Sequence, residues 1–109
     1  MAEWIEVCGV DEIEPGNYRT VWIDDEEVAV IKCNDAVYAI QDVCTHDGGE
    51  LTGGVIEGCA IECPRHSARF DIRTGEVLDP PAFEPIATYP VEIRDGRVFV
   101  NPEPNSPQA

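Results

Sequence analysis

Apolar and polar residues alternate along most of the chain in short segments, which is the period-two pattern of β-strands. No segment keeps a helical period for more than a few residues, and Asp11–Glu14 is predicted to form one short helical turn. The predicted fold is therefore all-β, a small sandwich or barrel of short strands. The pattern predicts these strands: Trp4–Val7, Tyr18–Ile23, Val28–Cys33, Val37–Gln41, Ala60–Glu62, Phe70–Ile72, Thr88–Ile93 and Val98–Asn101.

Turn residues separate the predicted strands. Asn34-Asp35 and Asp95-Gly96 predict tight hairpins, because Asn, Asp and Gly tolerate positive φ. A glycine-rich loop over residues 43–58 and the proline-rich stretch 79–85 interrupt the strand pattern, and prolines exclude a central strand. Nothing divides the chain further, so we expect one domain over residues 1–102 and a disordered tail over 103–109.

The charge of the chain limits its partners. The net charge is −15, from 22 acidic and 7 basic residues, which opposes binding to nucleic acid or to an anionic membrane. The N-terminal MAEWIEVCGV lacks the basic region and the apolar run of a secretory signal. No stretch reaches the roughly 20 apolar residues of a membrane span. We therefore expect a cytoplasmic protein. Its negative charge either steers it toward a basic protein surface or only keeps it soluble, and the sequence leaves both alternatives open.

Three of the five cysteines are predicted to be ordinary core residues. Cys8, Cys33 and Cys59 lie at or near strand ends, where a thiol packs as a small hydrophobe. A disulfide framework is not expected, since an odd number of cysteines cannot pair fully and the expected compartment is reducing. Trp4 and Trp22 are also predicted to lie in the core.

Both histidines of the chain stand beside the other two cysteines. The motifs are Cys44-Thr45-His46 and Cys63-Pro64-Arg65-His66, with 16 residues between His46 and Cys63. Two thiolates and two imidazoles form a complete ligand set for tetrahedral zinc. Each motif, however, carries one ligand of each kind, which favours a binuclear iron centre in which a histidine pair binds one of the two irons.

This pair of motifs resembles the ligand signature of Rieske [2Fe–2S] proteins. The segment CPRHSARFDIRTGEV, residues 63–77, is similar to the second ligand loop of the Rieske ferredoxins that serve bacterial ring-hydroxylating dioxygenases, and WIEV, YAIQDVCTH and YPVEIRDGRVFV fit the same family. The resemblance implies stacked antiparallel sheets with two ligand loops at one tip. A third loop, residues 79–82, is expected to cover the cluster.

The resemblance also implies a ligand set and a function. Cys44 and Cys63 are expected to bind the inner iron of one [2Fe–2S] cluster, and His46 and His66 the outer iron. The expected function is one-electron transfer from a flavin-dependent NAD(P)H reductase to a terminal oxygenase of the aromatic-ring dioxygenase type. The carrier is expected to be a monomer that docks transiently at the histidine edge of the cluster.

Two other functions compete with this one. The first is a Rieske-like small subunit of a nitrite reductase or another redox complex, which the sequence leaves open. The second is an oxygenase in its own right. That activity needs a mononuclear iron site with two histidines and a carboxylate, and no histidine remains once the cluster is made. We therefore expect an electron-transfer component and not an enzyme.

Departures from the Rieske proteins of cytochrome bc complexes bear on the redox potential. Gly49 and Arg65 stand where those proteins carry two cysteines that form a disulfide, and Ala68 and Phe70 stand where a serine and a tyrosine donate to sulfur atoms. Without these donors the reduced cluster is less stabilised. We expect a midpoint toward the low end of the Rieske range of roughly −150 to +300 mV.

Three arginines lie in or just after the second motif: Arg65, Arg69 and Arg73. They either form a solvated face paired with Asp71 and Glu76 or orient a docking partner, and the sequence leaves both alternatives open.

Overall fold

The computed structural model describes residues 3–23, 25–34, 36–44, 49–64, 68–80 and 84–105. Within these ranges the regular structure consists of short strands and one 3₁₀ turn over Val10–Glu12. The strands are β1 (Ile5–Gly9), β2 (Tyr18–Ile23), β3 (Glu26–Cys33), β4 (Ala36–Gln41), β5 (Ile56–Glu57), β6 (Ala60–Glu62), β7 (Arg69–Asp71), β8 (Val77–Asp79), β9 (Thr88–Tyr89), β10 (Val91–Arg94) and β11 (Arg97–Val100).

The strands form three antiparallel sheets. The outer sheet has the order β1-β11-β10, the central sheet β2-β3-β4-β9, and the site sheet β5-β6-β7-β8. The predicted all-β fold of stacked antiparallel sheets is confirmed. Pro90 divides the strand predicted over residues 88–93, so that β9 joins the central sheet and β10 the outer one.

Both faces of the central sheet are buried. Along β3, Ala29, Ile31 and Cys33 point into a first core that the central sheet shares with the site sheet. Val28 and Val30 alternate with them and point into a second core, shared with the outer sheet. The period-two alternation of a strand therefore supplies apolar side chains to both layers. The first core places the site sheet in a fixed position on the rest of the molecule.

The sequence pattern located most strands but missed two. The residues of β5 lie in the stretch predicted as a glycine-rich loop, and β8 follows Gly75 and includes Asp79 of the proline-rich stretch. Strands of two or three residues are too short to show an alternation. The hairpin at Asp95-Gly96 is confirmed, with φ of 51° and 77°. At the other predicted hairpin, Asn34 has φ of 56°, and Asp35 lies outside the described residues.

The expectation of unpaired cysteines is wrong for Cys33 and Cys59, and the placement of Trp22 in the core is wrong. Cys33 and Cys59 form a disulfide with a Cα–Cα distance of 5.3 Å, because the end of β3 meets the turn between β5 and β6. Trp22 is 67% exposed, because it lies on the edge strand β2 at a point that the site sheet does not cover. Cys8 is buried in the second core as predicted, and burial raises the pKa of its thiol.

The chain continues in contact with the fold beyond residue 102. The backbone N–H of Asn105 donates to the Thr88 carbonyl at 2.8 Å, and its side-chain amide donates to the Thr88 hydroxyl at 2.9 Å. Residues 106–109 of the predicted tail lie outside the described ranges, and the division of the chain at residue 102 stays a prediction. In the part of the chain that the structure describes, no helix has the length and apolar character of a transmembrane span.

Candidate metal centre

Cys44 and Cys63 occupy equivalent places in the fold. Cys44 follows β4 of the central sheet, and Cys63 follows β6 of the site sheet directly. The Cys44 N–H donates to the Gly49 carbonyl at 2.7 Å, and the Cys63 N–H donates to the Ala68 carbonyl at 2.8 Å. Each cysteine therefore closes a loop whose far end is five residues on. We name these the first ligand loop (residues 44–49) and the second ligand loop (residues 63–68).

The two cysteines are suited to hold a metal group. Both side chains lie in the first core, with exposed fractions of 0% and 1%, and neither belongs to the disulfide. A thiolate buried among apolar side chains is costly unless a positive charge compensates for it. Iron supplies that charge, and thiolates are the usual ligands of iron–sulfur clusters. The described half of the predicted ligand set therefore fits a [2Fe–2S] cluster.

The other half of the predicted set is not described. His46 lies in the first ligand loop and His66 in the second, and both fall outside the described residues. The same holds for Arg65 and for residues 81–83 of the proline-rich stretch, where the covering loop is predicted. The assignment of the two histidines to the outer iron therefore stays a prediction from the motif.

Gly54 allows the chain after the first ligand loop to lie against the end of β6. A Cβ atom added at Gly54 would be 1.7 Å from the carbonyl oxygen of Glu62 and 3.2 Å from that of Leu51. The contact is reinforced by the Glu62 N–H, which donates to the Val55 carbonyl at 2.8 Å. Because Glu62 immediately precedes Cys63, this close approach fixes one ligand loop relative to the other.

Asp42 orders the same segment, and it is not among the residues predicted for the site. Its side chain is only 5% exposed. One carboxylate oxygen accepts from the backbone N–H of Leu51 at 2.7 Å and of Thr52 at 2.9 Å, and the other accepts from the Thr52 hydroxyl at 2.7 Å. Aspartates that bond nearby backbone can be recognised from turn motifs, but these partners are nine and ten residues away. The sequence carries no local signal for them.

Removing the Asp42 carboxylate should destabilise the protein and loosen the first ligand loop. The Asp42→Ala variant leaves a buried N–H and two further donors without their acceptor, so we expect a loss of about 2–3 kcal/mol in the free energy of unfolding. Asp42→Asn keeps one carbonyl acceptor and should lose about 1 kcal/mol. Urea unfolding of both variants beside the parent measures this, and equal stabilities for all three proteins would contradict the assigned role.

Negative charge collects beside the first ligand loop. Carboxylate oxygens of Glu27, Asp42 and Glu50 lie within 4.8 Å of one another. Burial raises the pKa of the Glu27 carboxyl, and the neighbouring charges of Glu50 and Asp42 raise it further. Ionised Glu27 therefore costs folding free energy, a cost that disappears as the pH falls through its raised pKa. Of these acids, Glu50 is exposed and Glu27 partly exposed, so both add negative charge to the surface beside the end of the first ligand loop.

Two of the three predicted arginines are held by carboxylates of the site sheet. Arg69 donates to Asp79 across the β7–β8 pair. Arg73 forms an ion pair with Asp71 at 3.2 Å. Of the predicted carboxylate partners, Asp71 is therefore correct for Arg73, while Arg69 uses Asp79 instead. Both arginines pair with carboxylates of this sheet. This favours a solvated, ion-paired face over a role in orienting a docking partner.

The sequence of this chain is similar to those of known proteins over most of its length. Residues 3–90 match the family described as Rieske [2Fe-2S] domain. The chain is 37% identical over 100 residues to the ferredoxin component of the naphthalene 1,2-dioxygenase/salicylate 5-hydroxylase systems of a Ralstonia species, covering 92% of this chain and 96% of that protein. It is 38% identical over 97 residues to the biphenyl dioxygenase ferredoxin subunit of Pseudomonas sp. strain KKS102, covering 88% and 89%.

Solved structures share the fold over almost the whole chain. The ferredoxin of carbazole 1,9a-dioxygenase from Nocardioides aromaticivorans IC177 superimposes with a TM-score of 0.89 at 34% identity, covering 94% of this chain and all of that one. A chain in a complex of reduced oxygenase and oxidised ferredoxin in carbazole 1,9a-dioxygenase gives a TM-score of 0.90, also at 34% identity, covering 94% and 96%.

Proposed function

Because this chain belongs to the Rieske [2Fe–2S] domain family, we propose that it carries single electrons from a flavin-dependent NAD(P)H reductase to a terminal oxygenase of the aromatic-ring dioxygenase type. The observation that supports this most strongly is its similarity, over about nine-tenths of its length, to ferredoxin components of such systems. This similarity favours the dioxygenase ferredoxin over the nitrite reductase alternative.

The family match confirms several predictions. The chain is a Rieske-type ferredoxin with one [2Fe–2S] cluster as its cofactor, and it is an electron carrier, not an enzyme. The zinc alternative is thereby set aside. Delivery to an oxygenase agrees with the solved complex of a related ferredoxin with its oxygenase. The reductase, the monomeric state and the cytoplasmic location belong to the proposal.

Cys44 and Cys63 are proposed as ligands of the inner iron, and His46 and His66 as ligands of the outer iron. When bound, the cluster accepts and releases one electron. The protein supplies two buried thiolates in an apolar core, two loops closed by backbone hydrogen bonds and a segment ordered by Asp42. The hydrogen bonds that Cys44 and Cys63 donate to Gly49 and Ala68 are proposed to hold these two ligands in place in both redox states.

Docking is proposed to take place at the histidine edge of the cluster, against basic partner surfaces. The net charge of −15 and the carboxylates beside the first ligand loop favour such partners. Electrostatic attraction of this kind raises the rate of association and is screened by salt. A carrier that must dock and leave repeatedly also needs a modest interface, below about 1,200 Å².

Reconstitution tests the proposed function. NADH, a flavoprotein reductase and a Rieske oxygenase from an aromatic-ring dioxygenase system are combined with and without this protein, and hydroxylated product is measured. Addition of the holo-protein should restore product formation, with an apparent KM that rises with ionic strength. The Cys63→Ala variant serves as a matched control that should restore nothing. Failure with every such reductase and oxygenase, by a protein that carries a full cluster, would contradict the proposed partners.

A hydroxyl at position 68 should raise the midpoint potential. Ala68 is fully buried in the first core with Cys44 and Cys63, so a serine there can donate to a sulfur of the centre. Such a bond should favour the reduced state by about 0.5–1.5 kcal/mol, or roughly 20–65 mV for one electron. Redox titration of Ala68→Ser measures the shift, and Ala39→Ser in the second core should leave the potential unchanged. An unchanged potential in a well-folded Ala68→Ser protein would contradict this origin of the low potential.

A further inference from the structure

The disulfide between Cys33 and Cys59 joins two layers of the molecule at the end away from the metal centre. Cys33 is the last residue of β3, and the chain returns along β4 to reach Cys44. Cys59 lies in the turn before β6, and the chain follows β6 to reach Cys63. Four residues of extended chain span about 13 Å. The bridge therefore connects the central sheet to the site sheet without belonging to either ligand loop.

The two cysteines of the bridge differ in their access to solvent. Cys33 is 1% exposed within the first core, whereas Cys59 is partly exposed. An incoming thiolate should therefore reach Cys59 more readily than Cys33. The Asn34 side-chain amide lies 3.7 Å from Cys59 Sγ and donates to it. A donor at this position stabilises negative charge on Cys59 when Cys59 leaves the mixed disulfide in the second step of reduction, and a stabilised thiolate leaves faster.

The site sheet does not depend on the bridge alone for its position. Ile61, Phe70 and Ile72 pack against the central sheet through the first core, and the Ile72 N–H donates to the Cys59 carbonyl at 2.8 Å. Opening the bridge therefore removes one covalent link while the packing remains. The protein should therefore stay folded both with the disulfide formed and with the two cysteines reduced.

We propose that Cys33 and Cys59 form a reversible thiol–disulfide switch whose substrate is a dithiol reductant. A donor thiolate attacks Cys59 Sγ, a mixed disulfide forms, and the Cys33–Cys59 bond breaks with its electron pair on Cys33 Sγ, which takes up a proton. The second donor thiol then displaces Cys59 and leaves as a disulfide, and Cys59 takes up the second proton. The pair gains two electrons and two protons, and the donor is oxidised by two electrons. This site is separate from the one-electron centre.

Labelling of cysteines tests the switch on the holo-protein. The protein is first treated anaerobically with oxidised dithiothreitol, then equilibrated at increasing ratios of reduced to oxidised dithiothreitol, quenched in acid, unfolded and alkylated with a maleimide. Of the five cysteines, we expect three labels in the oxidised form and five in the reduced form. Cys33 and Cys59 should gain their labels together and reversibly, while the iron content before the quench stays constant.

Variants fix the identity of the pair. Cys33→Ser and Cys59→Ser should each show four labels at every ratio, whereas Cys8→Ala should show a change from two to four at the same midpoint as the parent. A brief pulse of a bulky monothiol should leave its adduct on Cys59. In the reduced form, exchange of the Ile72 amide should be faster by roughly tenfold, because that segment opens locally.

Three results would overturn the proposal. Five labels after treatment with the oxidant would mean that no bridge forms. Three labels after excess reductant would mean that the bridge is a permanent structural link. Loss of iron in step with reduction of the bridge would mean that the pair is not separate from the metal centre. None of these results depends on the partners proposed above, because the experiment contains no reductase and no oxygenase.

Discussion

Replacing Cys63 with alanine should give a folded protein that has lost its iron and its visible absorption. Cys63 is 1% exposed in the first core and is one of two thiolates proposed for the inner iron. Without it that iron keeps a single protein ligand, and the cluster is released. The three sheets do not depend on this side chain for their hydrogen bonds, so the circular dichroism of the strands should remain.

A matched control separates loss of a ligand from loss of a buried cysteine. Cys8 is 3% exposed but lies in the second core, on the other side of the central sheet. The Cys8→Ala variant should therefore keep two irons per chain, whereas Cys44→Ala should behave like Cys63→Ala. Iron and sulfide assays on the purified variants measure this. Full iron content in Cys63→Ala, or equal loss in Cys8→Ala, would contradict the assigned ligands.

The Gly54→Ala variant should lose about 3 kcal/mol of unfolding free energy. The added methyl group would overlap the carbonyl oxygen of Glu62 at 1.7 Å. This obstacle is backbone in a paired strand, so neither side can yield without breaking the hydrogen bond between Glu62 and Val55. Because Glu62 adjoins Cys63, the displacement should also lower the cluster content of the purified protein.

Gly53 provides the control for this effect. It has φ of 99°, but a Cβ atom added there meets nothing within 4 Å. Gly53→Ala should therefore cost only the strain of positive φ, about 1–2 kcal/mol, and should retain its cluster. Urea unfolding with iron analysis distinguishes the two variants. If Gly54→Ala were as stable as Gly53→Ala and equally rich in iron, the close approach would have no part in positioning the second ligand loop.

The fold was largely predictable from the sequence because both faces of the central sheet are buried. Along β3, Val28 and Val30 belong to one apolar core, and Ala29, Ile31 and Cys33 belong to the other. This alternation predicts a strand that is buried on both faces. β5 and β8 could not be predicted in the same way, because they are held by neighbouring strands and not by their own pattern. Trp22 was predicted to be buried but is exposed, because the sequence does not show whether an aromatic residue in a strand lies at an uncovered sheet edge or beneath another sheet.

The sequence predicts the ligands proposed for the candidate centre, but not the contacts that position the segments around it. The spacing of cysteines and histidines identifies the proposed ligands because a metal needs particular donor atoms. Asp42 and Gly54 act through partners eight to ten residues away, and the bridge joins Cys33 to a residue 26 positions later. Contacts of this kind depend on how the sheets stack. An odd number of cysteines therefore argued against a disulfide framework but could not exclude one pair.

We propose that two cysteines and two histidines of this chain hold a [2Fe–2S] cluster. The most direct measurement is an absorption and EPR spectrum of the purified protein before and after reduction with dithionite. We predict visible absorption that bleaches on reduction and an EPR signal whose average g value lies below that of the free electron. A colourless, EPR-silent protein containing one zinc ion per chain would contradict the claim and would make the same four residues a structural zinc site.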